Sequence, residues 1–320
     1  MRLIRDPQFA EAHLSYFLAR PEASYILLLG FGKGVYATDQ ELVPPRNSPV
    51  PPNHHLFHTH RPCSNIVNGL ICLRNGSRLA IYNLSTGEKR DLPPTRITDH
   101  GTTFAFGFNS VSKKYKLLLF RGHVASEILT VGRKSSWKDM LGAPAMMELS
   151  LDPIIYVAGK IYFIELRALN KFFIRFFDLT SEKFGTIDPP SNSEAPYPNP
   201  CFGNFEATYP NPRLVQAGGN LGFLANDYIL NKSSTLVHHW TYCYPHNWVE
   251  RGMFWYHPDK VWASIGTGDI LLGSSEIRLF DPTTSWWSRE KINNNPRDST
   301  CYTHISCNHV ENILPLSSMD

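Results

Sequence analysis

From Asn68 to Pro94 the chain sets apolar and polar residues in short blocks, each bounded by turn formers. Leu70 to Leu73 make one apolar run, Asn75-Gly76 is a pair suited to the positive φ of a tight hairpin, and Leu79 to Tyr82 make the returning run. Asn83-Leu84-Ser85-Thr86-Gly87 closes a second turn with short polar side chains and a glycine. Leu92-Pro93-Pro94 ends the unit, because proline cannot donate to a sheet ladder. A single hairpin of this kind is marginal in water, so the unit predicts copies of itself.

The copies recur downstream. Phe172 to Pro190 repeats the strand, an Asp-Leu-Thr-Ser turn and the double proline, and Ile277 to Ile292 repeats the strand and an Asp-Pro-Thr-Thr turn. Asn83, Asp178 and Asp281 mark the shared turn at separations of 95 and 103 residues. Weaker copies run from Ile128 to Met140 and from Leu236 to Met253, and Tyr25 to Asp39 reads as a first member, its Tyr36 lying 46 residues before Tyr82. A unit of roughly 45 to 50 residues is the size of a four-stranded propeller blade or a kelch-type repeat, and this chain holds about six.

The pattern therefore predicts a predominantly all-β, propeller-like fold with about six blades of short antiparallel strands, preceded by a short N-terminal helix. That helix spans Asp6 to Ala19: Asp6 caps, Pro7 fits the first turn, and Phe9, Ala12, His13 and Phe17 recur at helical spacing. Phe106-Gly107-Phe108 reads as a strand whose glycine admits a neighbouring backbone, Asn109 to Lys114 as a turn, and Tyr115 to Phe120 as the returning strand. Glycine also marks tight turns between apolar runs at Val157 to Phe163 and at Ala217 to Leu224. Residues 40–62 and 191–212 are proline-rich and irregular.

Composition narrows the class. Hydrophobic residues at 42% and charged residues at 18% describe a globular chain, and 24 prolines with 21 glycines suit many strands joined by turns. The net charge is +3 and the 31 basic residues are scattered, so a nucleic-acid partner is not indicated. No apolar run approaches the roughly 20 residues of a membrane-spanning helix, and the first residues lack the apolar core of a signal peptide. The expected location is the cytoplasm, the nucleus or both, with the six cysteines as reduced thiols and no membrane partner.

Candidate chemistry is sparse. His54, His55, His58 and His60 with Cys63 do not have the spacing of a structural zinc site. Cys301, His304, Cys307 and His309 lie on one strand that turns His304 to the opposite face. No metal and no cofactor are expected. Nucleophile-elbow, P-loop, dinucleotide and zincin motifs are absent. Asp178 and Asp281 recur as turn residues rather than converging on a cavity, so no enzyme is expected. The densest aromatic cluster is Trp240, Tyr242, Tyr244 and Trp248, with Trp287 of the Trp286-Trp287 pair beyond it. These five side chains either pack between blades or form part of a partner-binding patch.

Several short motifs resemble plant F-box proteins. Arg2, Leu3, Ile4, Asp6, Pro7, Phe9 and His13-Leu14 resemble the end of an F-box. Asn65 to Leu73, Tyr82 to Thr86, Leu92-Pro93-Pro94 and Phe106 to Leu117 resemble four motifs of the F-box-associated domain, in the family's order, with Val67 where the family often has cysteine. Val310 to Leu314 resembles its closing strand, which in propellers commonly completes the first blade.

The resemblance implies residues 1–22 as a remnant of the C-terminal end of an F-box and residues 23–320 as an F-box-associated β-propeller domain. It further implies the substrate-recognition subunit of an SCF-type E3 ubiquitin ligase, which binds a target protein through the propeller without catalysis. The Skp-type adaptor and cullin would be partners only where a complete F-box lies upstream. Two alternatives stand beside it: a stand-alone propeller module or decoy that lacks adaptor binding, and a carbohydrate-binding or enzymatic kelch-like propeller with a central pocket of acids, histidines or aromatics.

Overall fold

The apolar runs fold into short antiparallel strands grouped in six sheets. They are seen in a computed structural model that describes residues 7–19, 25–30, 34–38, 61–62, 66–75, 78–95, 102–121, 124–140, 148–167, 171–190, 212–217, 219–226, 235–243, 247–256, 261–264, 270–273, 276–281, 286–287, 292–293, 304–309 and 316. One helix, α1 (Pro7–Leu18), precedes β1 (Tyr25–Gly30) and β2 (Gly34–Thr38) of the first sheet. The second sheet holds β3 (Arg61–Pro62), β4 (Leu70–Asn75), β5 (Arg78–Asn83) and β6 (Lys89–Asp91). The third holds β7 (Thr102–Asn109), β8 (Lys114–Arg121), β9 (Val124–Thr130) and β10 (Trp137–Asp139). The fourth holds β11 (Glu148–Val157), β12 (Lys160–Arg167), β13 (Lys171–Asp178) and β14 (Lys183–Ile187). The fifth holds β15 (Arg213–Ala217), β16 (Asn220–Asn226), β17 (Thr235–Cys243) and β18 (Asn247–Tyr256). The sixth holds β19 (Val261–Ser264), β20 (Ile270–Gly273), β21 (Glu276–Asp281), β22 (Trp286–Trp287) and β23 (Ile292–Asn293).

The second to fifth sheets are meanders, and the first strands of successive sheets stand side by side: β7 with β11, β11 with β15, and β15 with β19. The last strand, β24 (His304–His309), continues that series beside β19 and pairs antiparallel with β1, giving the order β2-β1-β24. The first blade is thus completed by the end of the chain, which removes an open edge. The predominantly β, propeller-like architecture follows from these pairings.

Period-two alternation fills two cores from each strand. In β7, Phe104 and Phe106 enter the core shared by the second and third blades, while Ala105 enters the core between the third and fourth. Leu117 and Leu119 of β8 join the former, Leu118 and Phe120 the latter. In β12, Ile161 and Phe163 face the third blade, and Tyr162 and Ile164 face the fifth. Strands covered on both faces need apolar residues at consecutive positions, which accounts for runs such as Leu117 to Phe120.

Turn chemistry repeats with the sheets. Asn68 (φ 50°) and Gly69 (φ 75°) form a two-residue left-handed turn between Val67 and Leu70, and Ala158 (φ 46°) and Gly159 (φ 81°) occupy the matching place in the fourth blade. Asn83 Oδ1 accepts from the amides of Ser85 and Thr86 at 2.9 and 3.1 Å, and Asp178 Oδ1 accepts from Thr180 and Ser181 at 2.8 and 2.9 Å. The next residue ties the two turns together: Leu84 N donates to Gly69 O at 3.3 Å and Leu179 N to Gly159 O at 3.0 Å. Burial pushes the Asp178 carboxyl up, but the amides of Ser181 and Thr180 and the charge of Lys160 outweigh it and hold the group below the usual carboxylate range. The corresponding turn after Asp281 lies outside the described residues.

Local expectations shift in four places. The β4–β5 ladder runs to Asn75↔Arg78, so Asn75 belongs to the strand and the tight hairpin closes one residue later, with Gly76 outside the described residues. Helix α1 buries Ala10 and Leu14, four apart on one face, and leaves Phe9 41% exposed and Ala12 exposed. Helical spacing alone does not say which stripe the rest of the fold covers. Arg61-Pro62 pairs with Leu73 and Arg74 instead of remaining in the connector. The neighbour that Gly107 admits is not backbone: a Cβ there would stand 2.7 Å from Leu179 Cδ1 and 2.8 Å from the Tyr156 ring.

Gly107 lies at a joint between the third and fourth blades. Tyr156 donates its hydroxyl to Phe108 O at 2.9 Å. Asn109 Nδ2 and Lys116 Nζ both donate to Leu179 O at 2.8 Å, and Lys116, almost wholly buried, pairs with Glu182 at 2.6 Å. Gly107→Ala is expected to destabilise the chain by about 1–3 kcal/mol through overpacking. The same substitution made in a Leu179→Ala background should cost clearly less, because the colliding methyl is gone. Urea melts of the four chains in this cycle check it, and strict additivity would show that the contact does not demand the glycine.

Candidate protein-binding surface on the fifth blade

Strand β17 carries the aromatic cluster, and its pairing decides where each ring goes. A bulge between His239 and Trp240 sets His239 opposite Gly252 and Trp240 opposite Glu250, with Arg251 as the extra residue on β18. His238, Trp240 and Tyr242 consequently share the face turned to the fourth blade, and His239 and Thr241 take the other.

Trp240 is 5% exposed, in the core between the fourth and fifth blades. Its ring lies 5.8 Å from Phe223 and stacks on the His238 imidazole at 5.3 Å and 13°. Tyr242 and Trp248 sit at the rim of that core, half-buried, in an edge-on contact of 5.1 Å and 60°. The Trp248 ring lies 5.8 Å from Phe223, and its indole N–H donates to the exposed Asp188 carbonyl at 2.8 Å, bridging the fifth blade to the end of the fourth. On the same face stands exposed Glu250, which meets His238 Nδ1 at 2.7 Å, whereas exposed Asn247 and Val249, paired with Cys243 and Thr241, take the other face. Beneath the rim the Tyr162 phenol is pushed up to about 12 by burial, with nearby Tyr242 and Asp178 adding to the shift.

Of the five aromatic residues singled out by sequence, the structure brings together Trp240, Tyr242 and Trp248. Trp240 packs between blades, whereas Tyr242 and Trp248 are half-buried beside polar and acidic neighbours. Tyr244 and the Trp287 side chain lie outside the described residues. The rim also includes His238, Asp188 and Glu250, which sequence reading passed over. Period two from Trp240 back to His238 was the available signal, whereas Asp188 arrives only through the meeting of two blades. Such a rim, with half-buried rings, a fixed indole and acidic groups at the border, is a candidate anchor point for a protein segment. Among the described residues no three His, Cys, Asp or Glu side chains gather closely enough to hold a metal ion. Among them, too, no helix is long and apolar enough to cross a membrane.

A sequence profile described as the F-box associated beta propeller domain matches residues 36–254. One Arabidopsis thaliana F-box protein is 28% identical over 218 residues, covering 59% of this chain and 50% of its own length. Another is 24% identical over 200 residues, covering 58% of this chain and 53% of its own. The chain thus spans about half the length of these curated relatives. Among solved structures, a chain of a nidogen/laminin complex aligns with TM-score 0.47 and 9% identity over 89% of this chain and 98% of that one. The SapL1 lectin in complex with alpha methyl fucoside aligns with TM-score 0.43 and 11% identity, over 84% and 92%.

On the opposite face of the same strand, His239 is 1% exposed and neither ring nitrogen has a hydrogen-bond partner among the described residues. Burial, followed by the nearby Arg251 charge, lowers its pKa to about 4 from the ordinary 6.5. The unfolded chain takes up this proton at higher pH than the folded chain does. Stability from the neutral ring is therefore complete above about pH 6.5 and drains as the pH falls towards about 4, by on the order of 3 kcal/mol. His239→Leu is expected to remove this part of the pH dependence. Urea midpoints for both chains at about pH 7 and about pH 4.5 check it, and an unchanged difference in the variant would refute it.

Proposed function

The chain belongs to the F-box associated β-propeller family, and from that membership we propose that it is the target-recognition part of an SCF-type ubiquitin ligase, holding a protein substrate on its propeller without catalysing a reaction itself. F-box proteins as a class work with a Skp-type adaptor and a cullin, so those are the partners the family implies. Most weight rests on the profile match over residues 36–254, which runs from the second strand of the first blade through nearly all of the fifth. The half-buried Tyr242 and Trp248, bordered by Asp188 and Glu250, supply an anchor of the kind that dominates protein interfaces. The family's members are typically non-catalytic adaptors, in keeping with a surface built of rings and turns. Expected locations are the cytoplasm and nucleus, where such ligases meet their targets.

Affinity purification of the tagged chain from its own cells, with the proteasome inhibited, tests this reading by mass spectrometry. A specific protein is the expected result, joined by adaptor and cullin where a complete F-box lies upstream of the chain. A specific protein recovered without them would favour a stand-alone interaction module or decoy, and recovery of no specific protein would sink the reading. Tyr242→Ala and Trp248→Ala are each expected to lower target recovery about tenfold in chains that still melt cooperatively, as loss of an interface anchor does.

A further inference from the structure

Leu316 stands beyond the end of β24, which belongs to the first blade, yet it is held at the junction of the second and third. Its side chain is 3% exposed, inside the apolar cluster that includes Leu79, Leu92 and Val131. Its main chain is gripped on both sides: the N–H donates to Glu88 Oε2 at 2.8 Å, and the carbonyl accepts from Arg90 Nη1 at 2.9 Å. The other arm of Arg90, Nη2, donates to Gly132 O at 2.8 Å and so fixes the guanidinium across the two blades. Glu88, Arg90 and Leu92 fall at alternate positions of β6 and its flanks, so one side of an outer strand provides the carboxylate, the guanidinium and part of the socket.

This is how a peptide is read, not how a strand is paired. Within the sheets the backbone is satisfied by neighbouring backbone. Here a single residue has its amide and carbonyl met by two charged side chains and its isobutyl group met by a closed apolar socket. The first two contacts recognise any polypeptide, and the third selects leucine or a residue of similar size.

We propose that this seat is a peptide-recognition site of the propeller, made for a leucine-bearing segment of a partner protein and occupied in the free chain by its own Leu316. The site rests on the reading of the propeller as a protein-binding domain, but it does not depend on the adaptor or cullin. A tethered occupant competes at an effective concentration of the order of millimolar, so a partner must displace it, and the segment around Leu316 sets the threshold for binding.

The test uses the full chain and a fluorescent peptide of residues 311–320, ENILPLSSMD. The Leu316→Asp chain, its own occupant removed, is expected to bind this peptide, and the unaltered chain to bind it at least about tenfold more weakly because the tethered segment competes. A peptide carrying Leu316→Asp should not bind. Arg90→Ala or Glu88→Ala added to the Leu316→Asp chain should each weaken binding about tenfold, the effect of losing one charge-assisted hydrogen bond. A folded Leu316→Asp chain that ignores the peptide overturns the proposal.

Should Leu316→Asp fail to fold, a protease site replacing residues 311–314 and cut after folding decides the matter. Exchange of the freed segment for labelled peptide in a chain that still melts cooperatively supports the proposal. Retention without exchange, or unfolding on cleavage, makes Leu316 a permanent staple and overturns it. Neither outcome involves the ligase partners, so failure here and failure of the target-capture experiment are separate results.

Discussion

Burial of central strands on both faces is the constraint from which the rest follows. A strand in an open sandwich can turn alternate residues to water, but β7, β8 and β12 have another blade on each side. Alternate positions complete one core and the next, so a change of register by one residue would exchange two cores at once. The ring arrangement is what makes consecutive apolar residues consistent with antiparallel meanders.

Because the cores lie between blades, polar groups caught there have to be satisfied across blades. Lys116 is the clearest instance. It lies in an apolar strand of the third blade and finds its acceptors, Leu179 O and Glu182, in a turn of the fourth. Asn109 uses its oxygen to cap its own turn and its amide to reach Leu179 O. Blade contacts thus carry specific hydrogen bonds as well as apolar area, and they fix the angle at which neighbouring turns are displayed. The surface proposed for target binding depends on this: Trp248 is aimed by its bond to Asp188 of the preceding blade.

The same geometry separates two roles on β17. The face towards the fourth blade holds Trp240 in the core and brings Tyr242 and Trp248 to the rim. The other face buries His239 without a hydrogen-bond partner among the described residues, a cost that an apolar side chain would avoid. Opposite faces of one strand therefore carry the proposed recognition rim and a proton-sensitive weak point.

By itself the sequence determined the repeating unit of short antiparallel strands and most of its turns. These rest on local physics: Asn83 and Asp178 cap amides two and three residues ahead, glycine takes positive φ, and apolar runs of strand length declare sheets. Motif order sufficed for the family resemblance as well. Tertiary structure alone decided which half of the apolar residues meets which blade, that Ala10 and Leu14 rather than Phe9 line the covered face of α1, and that Trp240 is enclosed while Trp248 reaches the rim. It alone brought Leu316 to Glu88 and Arg90, more than two hundred residues away. No local pattern encodes such a meeting, because its energy comes from groups that become neighbours only when the ring has closed.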